Sequence, residues 1–281
     1  MKKGGIGANV TCAGHEWMRH AEISVENLHN TAMANQKSLT RMTLQDCLFE
    51  QGFGTRRVCA GLVQQGHVLV QGERVSDPLM DVEGHGLEVE VLGEPYVCHF
   101  PAYVMLHKPA GYEVSQKPKH HPSVYSLLPA ALRQRPSKGT PGVQAVGRLD
   151  EDTTGLLLMS DDGQFIHKMS SPKHHVPKVY EVFTVHAVTK QQVDRLVAGV
   201  VLDDDPKPVR AEAAEIVAEC HLRMTLTQGK YHQVKRMLAA VSNRVDRLHR
   251  SCMGDLHLGE LPEGHWRWLT DAEVQGLRQK R

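Results

Sequence analysis

The spacing of apolar and polar residues divides the chain into short strands and short helices separated by turn residues. Residues 178–185 alternate with a period of two, as in a half-buried strand. Residues 231–241 instead place Val234, Met237 and Leu238 on one helical face. Strands outnumber the crossover helices that a doubly wound parallel sheet requires. The pattern therefore predicts an α+β fold with a mixed, mainly antiparallel sheet and flanking helices.

Residues able to cap a helix N-terminus precede five of the predicted helices. These residues are Thr43, Thr55, Asp161 or Asp162, Thr189 and Thr270. Gly66 and Gly199 are expected to end the helices that follow Thr55 and Thr189. The side chains predicted to face inward on these two helices are Val58, Leu62 and Val63 on the first and Val193, Leu196 and Val197 on the second.

The same pattern suggests three segments. Residues 1–41 lack periodicity and are interpreted as a flexible leader. Residues 42–97 form a small module with a hairpin that turns at Gln71-Gly72 and a linker over residues 93–96. Residues 101–281 form a larger domain, in which residues 115–143 are predicted to be a long surface loop with one short helix at residues 123–132.

Composition narrows the class of protein. The chain has 281 residues, of which 41% are hydrophobic and 5% aromatic, so it can build a mainly aliphatic core. Its six cysteines include no Cys-x-x-Cys pair, which argues against a disulfide framework or a cysteine zinc site and favours a reducing cytoplasm. No apolar run is long enough to cross a membrane, so we expect no membrane partner.

Charge is distributed unevenly, although the net charge is only +1. Residues 42–97 carry three arginines against nine acidic residues, a net of −6, whereas residues 101–150 and 228–250 each carry a net of +5. Two basic segments in the larger domain suit a site that a polyanion approaches. From charge alone, a set of solvated helix faces explains them equally well.

One polar turn stands out because glycines bracket it and an apolar run follows it. Residues 147–155 read Gly-Arg-Leu-Asp-Glu-Asp-Thr-Thr-Gly, and Leu-Leu-Leu-Met comes next. Glycine allows positive φ or a close backbone approach at both ends of the turn. A charged loop between two strands is the plain interpretation. The order of the residues, however, resembles the catalytic motif of the pseudouridine synthases.

Further motifs extend the resemblance over about residues 42–275. The continuation Ser-Pro-Lys-His-His at residues 171–175 resembles the branch of the family that modifies ribosomal RNA and carries an S4 domain. Two helices followed by Gly-His-Val-Leu-Val-Gln-Gly-Glu-Arg-Val at residues 66–75 resemble that S4 RNA-binding domain, an αL-like module. Gly-Lys-Tyr-His-Gln-Val-Lys-Arg-Met at residues 229–237 is a third match. The acidic balance of residues 42–97 argues against strong autonomous RNA binding by this module.

The resemblance implies a reaction that breaks the N-glycosidic bond of uridine, turns the base and rejoins it through carbon, without cofactor or metal. It implies that Asp150 is the nucleophile and that Lys235 pairs with it, which would hold the carboxylate ionised. Tyr180 would stack beside the extruded base, and Arg148 would contact a phosphate. Without the match, these residues would be a turn aspartate, a core tyrosine and basic surface groups.

The implied partner is ribosomal RNA, with 16S rRNA favoured over 23S rRNA, either free or within a pre-ribosomal particle, and we expect a monomer. The residues expected to bind RNA are Arg56, Arg57, Lys108, Lys173, Lys178, Lys230 and Arg236. A non-catalytic ribosome-assembly protein on the same scaffold is one alternative. A glycosidase using Asp150 and Asp152 is another, but the chain has few aromatics to line a sugar cleft. The histidine pairs at residues 120–121 and 174–175 have no acidic partner at metal-ligand spacing.

Overall fold

A computed structural model describes residues 41–133, 142–203 and 205–279. The leader predicted for residues 1–41 therefore lies outside the described residues except for Arg41, and so does the stretch 134–141 of the predicted surface loop. No helix in the described ranges is both long enough and apolar enough to span a lipid bilayer.

The first module packs two capped helices on a small antiparallel sheet. Its elements are β1 (Arg41–Thr43), α1 (Leu44–Glu50), α2 (Arg56–Gln64), β2 (Val68–Val70), β3 (Glu73–Arg74), β4 (Asp81–Glu83), β5 (Glu88–Val91) and β6 (Glu94–Val97). The sheet order is β3-β2-β5-β6, and β1 pairs with β4. Thr43 and Thr55 accept hydrogen bonds from backbone N–H groups in the first turns of α1 and α2, which confirms both predicted caps.

Local turn chemistry explains what was right and wrong in this module. Gln71 and Gly72 both have positive φ and close the predicted hairpin between β2 and β3. The linker predicted for residues 93–96 is wrong, because Leu92 and Gly93 form a second turn with positive φ and β6 then pairs with β5. Val58 is exposed, although it was predicted to face inward. The helix α2 packs through Cys59 and Val63 instead.

The larger domain is built on one mixed sheet. Its elements are β7 (Tyr103–Lys108), α3 (Ala130–Arg133), β8 (Gln144–Ala145), β9 (Thr154–Ser160), α4 (Gly163–Ser170), β10 (Lys178–Thr184), α5 (Lys190–Ala198), β11 (Val200–Leu202), β12 (Asp205–Val209), β13 (Ala213–Ala218), β14 (His221–Leu226), α6 (Gln233–Ala240), β15 (Val245–Met253), β16 (Leu256–His257), β17 (Trp266–Trp268) and α7 (Asp271–Arg278). The sheet order is β13-β14-β10-β15-β9-β7-β17, with β8 beside β9 and β16 beside β15. Only the β9–β15 pairing among these is parallel, so the predicted α+β class with a mainly antiparallel sheet is confirmed.

The sheet carries an apolar layer on each face, and β9 contributes to both. Leu157 and Met159 join the cluster that contains α5 and α6, whereas Leu156 and Leu158 join the cluster that contains α4 and α7. A strand covered on both sides reads as a continuous apolar run instead of an alternating one. This is why the four apolar residues after the polar turn form a rigid base for it.

Three predicted helices differ in detail. The helix predicted for residues 123–132 is two short pieces, a 3₁₀ helix over Val124–Leu127 and then α3, because the residue before Pro129 is extended. The helix predicted from Tyr231 begins at Gln233, after a turn. In α5, Leu196 is buried but Val197 is exposed. The capping box predicted at Thr189 is confirmed.

Gly155 should be far more sensitive to substitution than Gly147 at the other end of the turn. Gly155 has a φ of +109°, and an added Cβ would lie 2.3 Å from the carbonyl oxygen of Arg250. Gly147 has a φ of +74° with open space around it. We expect Gly155→Ala to lower the free energy of unfolding by roughly 2–5 kcal/mol and Gly147→Ala by about 1–2 kcal/mol. Urea unfolding of both variants measures this, and equal losses would contradict the close approach of β9 and β15.

Candidate active site

The turn at residues 147–153 connects β8 to β9 and presents Asp150 next to the sheet. The backbone N–H of Thr153 donates to the carbonyl of Asp150 over 3.1 Å, which closes the turn. Leu149 is buried in the core beside it, whereas the Asp150 side chain remains partly exposed. The carboxylate is therefore accessible from solvent while the backbone that carries it is anchored.

A buried lysine organises the backbone of this turn. Lys108, at the end of β7, is fully buried, and its ammonium Nζ donates to the carbonyls of Pro109, Glu151 and Thr153 over 2.8–2.9 Å. An ammonium has three N–H donors, so these contacts saturate it. Two of the three acceptors belong to the turn itself. Lys108 therefore fixes the peptide groups on both sides of Asp152.

This placement corrects the expectation that Lys108 binds RNA, because its donors are used inside the protein and its ammonium has no exposed surface. Burial lowers the pKa of Lys108 to about 8, although the nearby charges of Glu151, Asp152 and Asp150 oppose the change. Its three carbonyl acceptors match the three N–H donors of an ammonium group. The sequence signal, a basic turn after a strand, was correct in position but gave no information about burial.

Lys235, in the first turn of α6, faces two carboxylates. Its Nζ lies 2.7 Å from both carboxylate oxygens of Asp152 and 3.8 Å from Oδ2 of Asp150. The shorter contact is therefore with Asp152, which the sequence marked only as a neighbour. One ammonium is thus shared by two carboxylates, and at 3.8 Å Asp150 has no direct hydrogen bond to Lys235.

His232 is a site residue that sequence reasoning missed. Its Nε2 lies 3.5 Å from Oδ1 of Asp150, on a different carboxylate oxygen from the one that faces Lys235. His232 has φ 48° and ψ 33°, the left-handed region that residues with a Cβ rarely adopt. Such conformations are frequent at functional sites. The only available signal was its position inside the matched stretch 229–237.

Arg250 supports the base of the turn from β15. It is 2% exposed, and its Nε donates to the carbonyl of Leu156 over 2.7 Å. Its backbone is the group that approaches Gly155. Sequence reasoning did not single out Arg250, because an arginine in an apolar strand pattern is normally placed at the surface. The requirement for glycine at position 155 follows directly from this packing.

Tyr180 and Lys178 lie on β10, next to this region of the sheet. Tyr180 is 9% exposed and belongs to the cluster of α5 and α6, with Met224 and Arg250 as its cross-strand neighbours. Lys178 is half-buried and donates to the carbonyl of Val176 over 3.0 Å. Burial, followed by the charge of Arg250, lowers the pKa of Lys178 to about 8. The roles predicted for Tyr180 and Lys178 stay predictions.

The other expected RNA-binding residues occupy several elements. Arg56 and Arg57 are exposed at the start of α2, and Arg56 pairs with Asp46 over 2.5 Å. Lys173 is exposed in a 3₁₀ helix over Pro172–His174. Lys230 and Arg236, partly exposed, lie around the start of α6. Lys230 and Arg236 therefore lie on the same segment of the chain as His232 and Lys235.

Two grooves open beside the turn. One, of about 410 Å³, is lined by residues that include Asp152, Thr154 and His249. The other, of about 450 Å³ and widely open, is lined by residues that include Gly147 and Arg148. The exposed guanidinium of Arg148 therefore borders a surface groove, as a phosphate contact requires. Within the described residues, no group of three or more His, Cys, Asp or Glu side chains could hold a metal ion.

Comparison with known proteins identifies two families in this chain. The family described as RNA pseudouridylate synthase matches residues 102–240, which contain Asp150, His232 and Lys235. The family described as S4 domain matches residues 42–89, the first module. The class of protein that the fold and site define is therefore an RNA pseudouridine synthase with an S4 domain in front.

Similar proteins from two bacteria narrow the class further. The ribosomal small subunit pseudouridine synthase A of Vibrio parahaemolyticus is 36% identical over 239 residues, which cover 84% of this chain and 99% of that protein. The protein of the same name from Escherichia coli K12 is 36% identical over 83% of this chain and 98% of its own length. The chain belongs to the family of these ribosomal small subunit pseudouridine synthases A.

A solved structure supports the same assignment. A crystal structure of a pseudouridylate synthase superposes with a TM-score of 0.58 at 33% sequence identity. The match covers 84% of this chain and 99% of that chain. The likeness therefore includes both the S4 module and the larger domain.

Replacement of Lys108 should destabilise the protein and disorder the turn. Lys108→Met removes three donors and leaves three carbonyls unsatisfied, two of which belong to the turn. We expect the free energy of unfolding to fall by roughly 3–5 kcal/mol, in the range for breaking a buried charged network. Urea unfolding measures the loss.

Lys190→Met is the matched control, because Lys190 is exposed and pairs with Asp194 one helical turn away over 2.9 Å. It should change stability by less than about 1 kcal/mol. A Lys108→Met protein as stable as Lys190→Met would show that the buried ammonium does not hold the turn.

Proposed function

We propose that this protein converts one specific uridine of bacterial 16S rRNA to pseudouridine, with Asp150 as the nucleophile. The observation that carries the proposal is the placement of Asp150, whose two carboxylate oxygens face His232 at 3.5 Å and Lys235 at 3.8 Å. The names of the relatives from Vibrio parahaemolyticus and Escherichia coli support the small-subunit RNA as substrate.

The chemistry needs a carboxylate that is ionised, exposed and fixed. Lys235 places its positive charge near both Asp150 and Asp152 and so offsets the repulsion between the two carboxylates. Lys108 holds the backbone of the turn, so the nucleophile is positioned before RNA binds. A carboxylate so placed forms a covalent bond to the nucleotide, and the N1–C1′ glycosidic bond is broken. After the base turns, C5 bonds to C1′ and the carboxylate is released. The proton on C5 is lost and N1 takes up a proton, so the product is an isomer of the substrate. No group is donated or oxidised, so the proposed reaction uses no cofactor.

The RNA has to expose the uridine before this step. To reach an enzyme group, a uridine inside a folded RNA has to leave its stack and turn outward. Aromatic side chains commonly stack on such a base. We propose that Tyr180 takes this role and that Arg148 contacts a phosphate at the open groove it borders. Arg57, Lys173, Lys230 and Arg236 supply further positive charge on exposed or partly exposed surfaces.

We further propose that the enzyme acts as a monomer in the cytoplasm, on rRNA that is free or within a pre-ribosomal particle. The S4 module supports RNA binding by its family match. Because the module carries a net negative charge, we propose that it positions the RNA and that other residues supply most of the binding free energy.

Asp150→Asn should abolish the reaction without loss of fold. The amide is nearly the same size as the carboxylate but cannot act as the nucleophile, so we expect pseudouridine formation to fall by roughly 10³-fold or more. The measurement is release of tritium from 5-tritiated uridine in unmodified 16S rRNA, together with binding of that RNA to the variant.

Asp152→Asn is the matched control, because Asp152 shares Lys235 but is not the proposed nucleophile. Lys235 remains beside Asp150 in this variant, so we expect less than about a tenfold loss of rate. If Asp152→Asn were inactive and Asp150→Asn active, the two carboxylates would have exchanged roles and the assignment of Asp150 would be wrong.

Deletion of the gene should remove one pseudouridine from 16S rRNA. Chemical mapping of pseudouridines in both rRNAs from the deletion strain, and from the strain complemented with wild-type or Asp150→Asn protein, identifies the target. Only the wild-type protein should restore the site. Loss of a site in 23S rRNA would replace the proposed substrate, and unchanged maps of both rRNAs would contradict the proposal.

A further inference from the structure

Tyr231 presents an aromatic ring to solvent next to the proposed nucleophile. It is 72% exposed, the highest value among the exposed large hydrophobic side chains in the described part of the chain. A single exposed apolar residue is ordinary on a protein surface. Tyr231 differs because of what its ring contacts and where that contact leads.

The ring of Tyr231 is held in place instead of projecting freely. It stacks on the imidazole of His232, with ring centroids 3.8 Å apart and planes inclined by 20°. The carbonyl of Tyr231 accepts a hydrogen bond from Nη1 of Arg236 over 3.2 Å, so the backbone is held as well. The left-handed conformation of His232 orients the two rings. One face of Tyr231 is thus covered by His232 and the other is available.

The stack leads directly to the reactive carboxylate. His232, the inner ring, lies 3.5 Å from Oδ1 of Asp150, so the order from the nucleophile outward is carboxylate, imidazole, phenol ring. A uridine that reaches Asp150 has neighbours in the RNA strand one nucleotide away. A fixed aromatic face at this distance from the nucleophile lies where such a neighbouring base would be.

We propose that Tyr231 stacks on the nucleobase adjacent to the target uridine and so stabilises the RNA conformation in which the uridine is turned out. Stacking on a fixed ring accepts any base, since every base has a flat π surface. The partly exposed cations Lys230 and Arg236 flank the ring and suit the phosphates of the same strand. The inference rests on the proposed function and adds to it a positioning residue that acts on the RNA next to the reacting nucleotide.

The test compares side chains that differ in flatness at similar size. Tyr231→Phe and Tyr231→Trp keep a flat ring, Tyr231→Leu keeps apolar bulk without one, and Tyr231→Ala removes both. Single-turnover rates and dissociation constants are measured with unmodified 16S rRNA transcript, and binding is repeated in the inactive Asp150→Asn background. Val201→Ala, a truncation at an exposed position on β11, is the matched control.

Tyr231→Ala and Tyr231→Leu should each lower the rate at subsaturating RNA by about 10- to 100-fold, the range for loss of one base–aromatic stack. Tyr231→Phe and Tyr231→Trp should stay within about threefold of wild type, as should Val201→Ala. Thermal melting should be unchanged in all variants, because the ring is exposed. A merely structural role would instead be rescued by leucine.

Three results would overturn the inference. Wild-type rates for Tyr231→Ala with an active parent enzyme would remove the stacking role and leave the proposed function intact. Equal loss in the alanine and phenylalanine variants would assign the effect to the hydroxyl and not to the ring. A wild-type enzyme that modified no uridine in the 16S transcript would overturn the proposed substrate itself, and the inference with it.

Discussion

The buried ammonium of Lys108 is the interaction on which the candidate site depends. It binds three carbonyls, two of them in the turn that carries Asp150, and it does so without exposed surface. Burying a cation costs free energy unless its donors are satisfied, and here all three are. Arg250, on the neighbouring strand β15, donates to the carbonyl of Leu156 in β9. Two buried cations, on the strands that flank β9, thus hold the backbone of the turn and of the strand that follows it.

The basic residues of the site therefore divide into those that hold the backbone and those that face the carboxylates. Lys108 and Arg250 face the protein and hold backbone, whereas Lys235 and His232 face carboxylates that solvent can reach. The turn carries three consecutive acids, which would repel both one another and RNA if unpaired. Sharing Lys235 between Asp150 and Asp152 reduces that repulsion without burying either carboxylate. A chain with a net charge of +1 can therefore present local positive charge where a polyanion has to approach.

Predictions from the sequence succeeded where the cause is local. A threonine or aspartate cap and a turn with two left-handed residues depend on a few neighbouring atoms, so Thr43, Asp162 and Gln71-Gly72 were placed correctly. They failed where partners are distant in sequence. The burial of Lys108 depends on the carbonyls of Glu151 and Thr153, which are more than 40 residues away in the chain.

The sequence by itself determined the fold class, most caps and turns, and the segments that meet at the site, because these follow from periodicity and from motifs that are continuous in the chain. Tertiary structure alone decided which charged groups are buried and which carboxylate each cation faces. In the sequence, Lys108 ends a predicted strand and Lys235 lies in a predicted helix, and no neighbouring residue shows which of the two is buried. Lys108 donates to two carbonyls 43 and 45 residues away, besides that of Pro109, whereas Lys235 pairs with Asp152, 83 residues away. Burial and pairing over such separations depend on how the strands are ordered in the sheet, which no local pattern specifies.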